Sequence, residues 1–234
     1  MVGGYLRLSE KQIMTYLSCV EVEPNVEATA TVIWLHGLGA NGHDFEAILP
    51  DLKLPQNAPV RFIFPHSPSM PVTINGGIVM PAWYDILEMG AGRKLNTDQL
   101  LHSASQVAAL IEREIERGIS SERIVIVGFS QGGAVAYQTA LSFPKKLAGL
   151  LALSTYFPTA DSIEFAECNR ALPIEIMHGR FDPVVLSTMG LEASKTLENA
   201  GFKPNWRTYP MEHNVCLEQI QDISAWLKYI LNIK

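Results

Sequence analysis

Short apolar runs of four to six residues punctuate the chain: 31–35 (TVIWL), 60–64 (VRFIF), 124–127 (IVIV), 149–154 (GLLALS), 174–177 (IEIM) and, more weakly, 205–209 (NWRTY). Most lack strict alternation of polar and apolar residues, as strands covered on both faces do. Between them the period lengthens. From Asp98, a candidate cap, Leu101, Ala104, Ala108, Ile111 and Ile115 recur at steps of three and four. Cys216, Ile220, Ile223, Leu227 and Ile230 repeat that spacing near the end, and both stretches predict amphipathic helices. Strand and helix alternate, so the predicted fold class is α/β, a mostly parallel central sheet with helices on both faces.

One segment does not fit this alternation. Residues 65–97 hold several prolines and glycines and read as a long loop or cap. Loops of that length are uncommon in compact domains unless they serve a site. Met70, Val72, Ile74, Ile78, Val79, Met80 and Trp83 are apolar enough to line a pocket under it. A small β excursion packed on the core is the alternative.

A length of 234 residues with 47% hydrophobic content suits one domain spanning 1–234. The net charge of −6 comes without any cluster of Lys and Arg, which argues against nucleic acid or an anionic membrane as a partner. No apolar run approaches the roughly 18 residues of a spanning helix, and Arg7, Glu10 and Lys11 interrupt the apolar residues near the start, so neither stable membrane insertion nor a signal peptide is expected. Cys19, Cys168 and Cys216 are few and widely spaced. They read as free thiols of a cytoplasmic protein, with Cys216 as a core thiol.

The chemistry centres on Gly128-Phe-Ser130-Gln-Gly132, preceded by a strand-like run and followed by small, helix-compatible residues. A sharp strand-to-helix turn holds such a serine in a strained conformation, brings the residues two before and two after it together, and so requires glycine there. A serine hydroxyl needs a base, and the base an orienting acid. In this arrangement the order along the chain is Ser, acid, His. Asp182 follows the fifth predicted strand, and His213 follows the sixth. The other five histidines precede the acid, and none shows metal-ligand spacing. For the oxyanion, the backbone N–H of Gln131 is one candidate donor and that of Leu38, in the glycine-rich stretch after the first strand, the other. Each residue also has a plain structural alternative: a capping serine, a turn-initiating aspartate, a solvated histidine, a tight turn.

The motifs VIWLHGLGANGHDF, RFIFPHSP, PVTINGG, AWYDI, VGFSQGGAVA, ALSTYFP, HGRFDPVV and HNVC, spread from Val32 to Cys216, resemble the phospholipase/carboxylesterase family of α/β hydrolases, which includes the acyl-protein thioesterases. The resemblance implies the α/β-hydrolase fold, Ser130 as nucleophile, His213 as general acid/base, Asp182 as orienting acid, and the N–H groups of Leu38 and Gln131 as the oxyanion hole. It places Trp83 on the substrate cleft with Val185 nearby, and calls for no cofactor and no metal. Arg180 and Phe181 stand where relatives often carry smaller or polar residues, and Asn214 where serine is more usual. The leading expectation is a serine carboxylesterase acting on a small-molecule ester or acylated substrate of short to medium chain. An acyl-protein thioesterase or lysophospholipase is the alternative within the class, and a non-catalytic binding protein on the same fold the alternative outside it. Pairing of two copies through the apolar loop, giving a homodimer, is compatible with any of these.

Overall fold

The computed structural model describes residues 16–90 and 93–234. Most of the stretch read for a signal peptide, up to residue 15, and two residues of the 65–97 segment, 91 and 92, lie outside the described residues. The strands are β1 (Cys19–Val22), β2 (Ala30–Leu35), β3 (Val60–Pro65), β4 (Ser69–Val72), β5 (Ile78–Pro81), β6 (Ile86–Glu88), β7 (Lys94–Leu95), β8 (Ile124–Phe129), β9 (Gly149–Leu153), β10 (Ile174–Gly179) and β11 (Pro204–Tyr209). The α-helices are α1 (His43–Glu46), α2 (Thr97–Glu116), α3 (Gln131–Ser142), α4 (Ser187–Asn199) and α5 (Leu217–Ile230).

Seven strands form one sheet in the order β1-β3-β2-β8-β9-β10-β11. Edge strand β1 runs antiparallel to β3, and the other pairings are parallel. This is an α/β-hydrolase sheet, and its central strands are buried on both faces, as the unbroken apolar runs require. Ile33, Leu35, Ile126 and Leu150 face a core shared with α2, α3 and α4. Val32, Trp34, Val127 and Leu151 face a second core closed by Phe45 of α1 and by Ile220, Ile223 and Leu227 of α5. Among the described residues no helix is long and apolar enough to cross a membrane.

The structure departs from the sequence expectations at several points. Helix α2 starts earlier than Asp98, because the side chain of Asn96 accepts the N–H of Gln99 as its cap. Its core stripe is Leu100, Ala104, Val107, Leu110 and Ile111, whereas Leu101 is exposed. Glu114 replaces an apolar residue on that stripe. Fully buried, its carboxylate accepts from Arg61 at 2.7 Å, Arg117 at 3.0 Å and the Thr31 hydroxyl at 3.0 Å. Arg61 and Arg117 reach on to Glu23, just beyond β1. An ionic staple thus ties the exit of the edge strand to α2, where an apolar pattern gives no signal.

The 65–97 segment is a β excursion that also lines a cavity, through Ile74, Ile86, Met89 and Arg93. It folds as two hairpins, β4–β5 and β6–β7, and ends by entering α2. Ile78 and Val79 point outward at more than 60% exposure, so they line nothing, while Val72 is buried in support. Cys216 is half-buried, stands at the residue before α5 without a side-chain cap bond, and packs against the second core.

Candidate active site

The carboxyl ends of β8, β10 and β11 converge on one point. Strand β8 ends at Phe129 and α3 begins at Gln131, leaving Ser130 alone to reverse the chain at φ 53°, ψ −119°. Such a conformation is unfavourable for any residue with a Cβ. Three hydrogen bonds hold it: Ser130 N–H donates to Leu153 at 2.9 Å, and its carbonyl accepts from the Thr155 hydroxyl at 2.6 Å and from Gly133 N–H at 3.0 Å. The glycines of the motif are required sterically. A Cβ on Gly128 would lie 2.5 Å from the Gly132 carbonyl oxygen, and one on Gly132 2.4 Å from the His36 carbonyl oxygen.

His213, in the turn between β11 and α5, brings Nε2 to 2.9 Å from the Ser130 hydroxyl. Its Nδ1 lies 2.7 Å from Asp182 Oδ2. With that carboxylate ionised, Nδ1 carries the proton and Nε2 is left to accept from the serine. Phe129 packs on the imidazole at 4.9 Å between ring centres, which limits its rotation. The three residues expected from the sequence to form a relay are therefore connected in the order Ser130, His213, Asp182.

Asp182 is buried in the loop after β10. The N–H groups of Val184 and Val185 both donate to Oδ1 at 2.9 Å, and His178 Nε2 lies 3.5 Å from Oδ2. Burial alone would raise its pKa. The nearby His178 ring and hydrogen bonds from His213 and Val185 outweigh burial and hold the carboxyl well below the usual carboxylate range. His178 is itself fixed by donating Nε2–H to the Val185 carbonyl at 2.8 Å, so Val185 both steadies the acid and forms cavity wall.

The N–H of Gln131, first residue of α3, is one of the donors a helix start leaves without an intrahelical acceptor. Neither it nor the N–H of Leu38 donates to a protein acceptor among the described residues. Both residues line the cavity that holds Ser130 and His213. The cavity encloses about 510 Å³ and is mainly apolar, with Phe45, Ile48, Ile74, Ile86 and Phe129 on its walls. That size lies within the ~300–1,000 Å³ of small-molecule sites.

Trp83 is not on the cleft. It is fully buried, and its indole N–H donates to the His36 carbonyl at 2.9 Å. The Gln131 side chain accepts from Trp83 N–H at 2.8 Å and donates to the Tyr84 carbonyl at 2.6 Å. Trp83 instead braces from behind the two segments that carry Leu38 and Gln131. Sequence reasoning also missed His36. Its Nδ1–H donates to the Gly37 carbonyl at 2.7 Å, and its Nε2 accepts Ser67 N–H at 3.1 Å. The one signal for it was a histidine at a strand end followed by glycine.

A family model described as Phospholipase/Carboxylesterase matches residues 18–231. Acyl-protein thioesterase 1 of Neurospora crassa is 41% identical over 212 residues, covering 85% of this chain and 86% of that protein. Among solved structures, Arabidopsis thaliana SOBER1 superposes with a TM-score of 0.81 at 32% identity, covering 86% of this chain and 99% of that one. Zea mays acyl-protein thioesterase 2 gives 0.80 at 28% identity, with coverage of 92% and 100%.

Proposed function

The chain belongs to the phospholipase/carboxylesterase family and is a serine hydrolase, and from that premise we propose that it removes acyl groups from thioesters and oxoesters through an acyl-enzyme on Ser130. The observation that carries this reading is the 2.9 Å contact of His213 with the Ser130 hydroxyl at the wall of an apolar cavity of about 510 Å³.

In the proposed cycle Ser130 Oγ attacks the acyl carbon as its proton passes to His213 Nε2, and the oxyanion is received by the N–H groups of Leu38 and Gln131. His213 returns the proton to the departing thiol or alcohol as the carbon–sulfur or carbon–oxygen bond breaks. Water then enters, gives a proton to His213 as its oxygen bonds the acyl carbon, and Ser130 leaves with that proton restored. Asp182 holds the imidazole and offsets its transient positive charge. Preorganised donors of this kind each contribute about 2.7–4 kcal/mol to transition-state stabilisation.

The relatives named as acyl-protein thioesterases favour acylated proteins over the short-chain esters read first from the sequence. The apolar cavity agrees, since it offers room for an aliphatic chain. The test is a rate profile on matched nitrophenyl esters and acyl thioesters from acetyl to palmitoyl, with Ser130→Ala as the blank. A serine-dependent maximum at eight carbons or more on thioesters is expected. A maximum at acetyl in both series would return the reading to a general carboxylesterase, and full activity in Ser130→Ala would overturn the mechanism.

A further inference from the structure

The cavity wall carries one arginine, Arg93, next to the β6–β7 hairpin. Its guanidinium carbon lies 4.5 Å from the centre of the Tyr156 ring, and Nη2–H donates to the Val184 carbonyl at 3.0 Å. These two contacts hold the group at the cavity wall. Tyr156 is fixed in turn, its hydroxyl 2.7 Å from that of buried Tyr84. A guanidinium has five N–H donors in a rigid fork, and among the described residues only the bond to Val184 engages one of them. Arg93 Nε is buried and has no acceptor among the described residues. No carboxylate of the described residues lies within ion-pair distance of Arg93. Asp44 lines the same cavity, and Asp161 and Glu192 line an adjoining cavity that shares Arg93 and Tyr156.

Half-buried at the cavity edge, the Arg93 guanidinium remains open to solvent, so an anionic group of a ligand can take the place of the water there. The protein's net charge of −6 repels anions at long range, so any anion that Arg93 takes has to be held by contact. We propose that Arg93 is a specificity residue that binds an anionic oxygen group, of the carboxylate class, on the substrate at a distance from the scissile carbonyl. The inference rests on the hydrolase reading above and narrows its substrate class to acyl compounds that carry a negative charge. A planar fork held at the wall by Tyr156 and Val184 matches a carboxylate through two parallel hydrogen bonds. Because Arg93 borders both cavities, the charge belongs either to the far end of the acyl group or to the leaving group.

Two substrate series separate these sources. In the first, nitrophenyl hemiesters of dicarboxylic acids from succinate to suberate are compared with their methyl-capped diesters. In the second, octanoyl esters of 4-hydroxybenzoate are compared with those of its methyl ester. At pH 7.5 the free acids are ionised. The wild type is expected to prefer the charged member of at least one series by about tenfold or more in kcat/KM, the span of one charge-assisted pair. Arg93→Met is expected to collapse that ratio towards one, and Arg93→Lys to restore part of it. Equal or better turnover of the neutral member in both series by the wild type would overturn the proposal, and needs no variant to fold. So would a charge preference that survives Arg93→Met. Turnover of the neutral esters that vanishes in Ser130→Ala keeps the hydrolase reading intact whatever the charge comparison gives.

Discussion

The indole N–H of Trp83 donates to the backbone carbonyl of His36 at 2.9 Å, across the base of the site. The next residues after His36 are Gly37 and Leu38, and the Gln131 side chain accepts from the N–H of the same tryptophan. One buried residue thus spans both candidate oxyanion donors. Trp83→Phe keeps most of the ring and removes the donor. Leaving the buried His36 carbonyl unpaired costs about 1–3 kcal/mol of stability. Displacing the loop by a fraction of an ångström is expected to lower kcat about tenfold, with KM little changed. Ester kinetics with urea unfolding check both. An unaltered kcat would mean that the 37–38 turn holds its shape without the brace.

His36 sets a pH limit on the fold. Burial pushes its pKa below the ordinary 6.5, and the neutral ring is the form that accepts Ser67 N–H. The unfolded chain therefore takes up a proton near pH 6.5 while the folded chain does not. Stability contributed by the neutral ring is complete above that pH and is lost as pH falls below it. Urea midpoints are expected to drop between pH 7 and pH 5, and a His36→Gln variant, less stable throughout, is expected to show a shallower drop. Parallel slopes would assign the effect to other groups.

Asp182→Asn tests the relay at its anchor. The amide leaves the backbone of Val184 and Val185 an acceptor but no longer dictates which His213 nitrogen carries the proton. A fall in kcat on the order of 10³–10⁴-fold is expected, with the fold kept. The substitution also reads the carboxylate's share of acid stability. Because the folded pKa lies below the ordinary 3.8, the ionised form stabilises the fold above pH 3.8, and that contribution is lost as pH falls below it. In the variant the decline in urea midpoint from pH 5 to pH 3 should be smaller.

The relay was legible because its residues sit at strand ends in a fixed order, and because the glycines flanking Ser130 are demanded by backbone collisions under 2.6 Å. The strands were legible for a related reason: double-sided burial erases alternation. What the chain hid was cross-chain. Trp83 and Arg93 are defined by partners at Leu35's neighbour His36 and at Val184, and no local period encodes such contacts. Helix α4 was hidden because its buried face is made of Gly190, Ala193, Ser194 and Leu197. Gly190 lets that helix press on His178, since a Cβ there would lie 2.4 Å from the imidazole Nδ1. A stripe of small residues packs closely yet barely registers as hydrophobic.

Ser130 stores strain, and two substitutions separate that strain from the hydroxyl. At φ 53° and ψ −119° the serine Cβ is crowded by its own backbone, at a cost of about 1–3 kcal/mol. Ser130→Ala removes the hydroxyl and keeps the Cβ. Ser130→Gly removes both, relieving the strain but adding about 0.5–1 kcal/mol of unfolded-chain entropy. Both variants are expected to be inactive, with the glycine form more stable than the alanine form by about 1 kcal/mol in urea unfolding. The two carry the same three hydrogen bonds at this position, so the difference reports the relieved strain less the added unfolded-chain entropy. A glycine variant less stable than the alanine variant would mean that the strain at this turn is smaller than the roughly 0.5–1 kcal/mol of entropy that glycine adds.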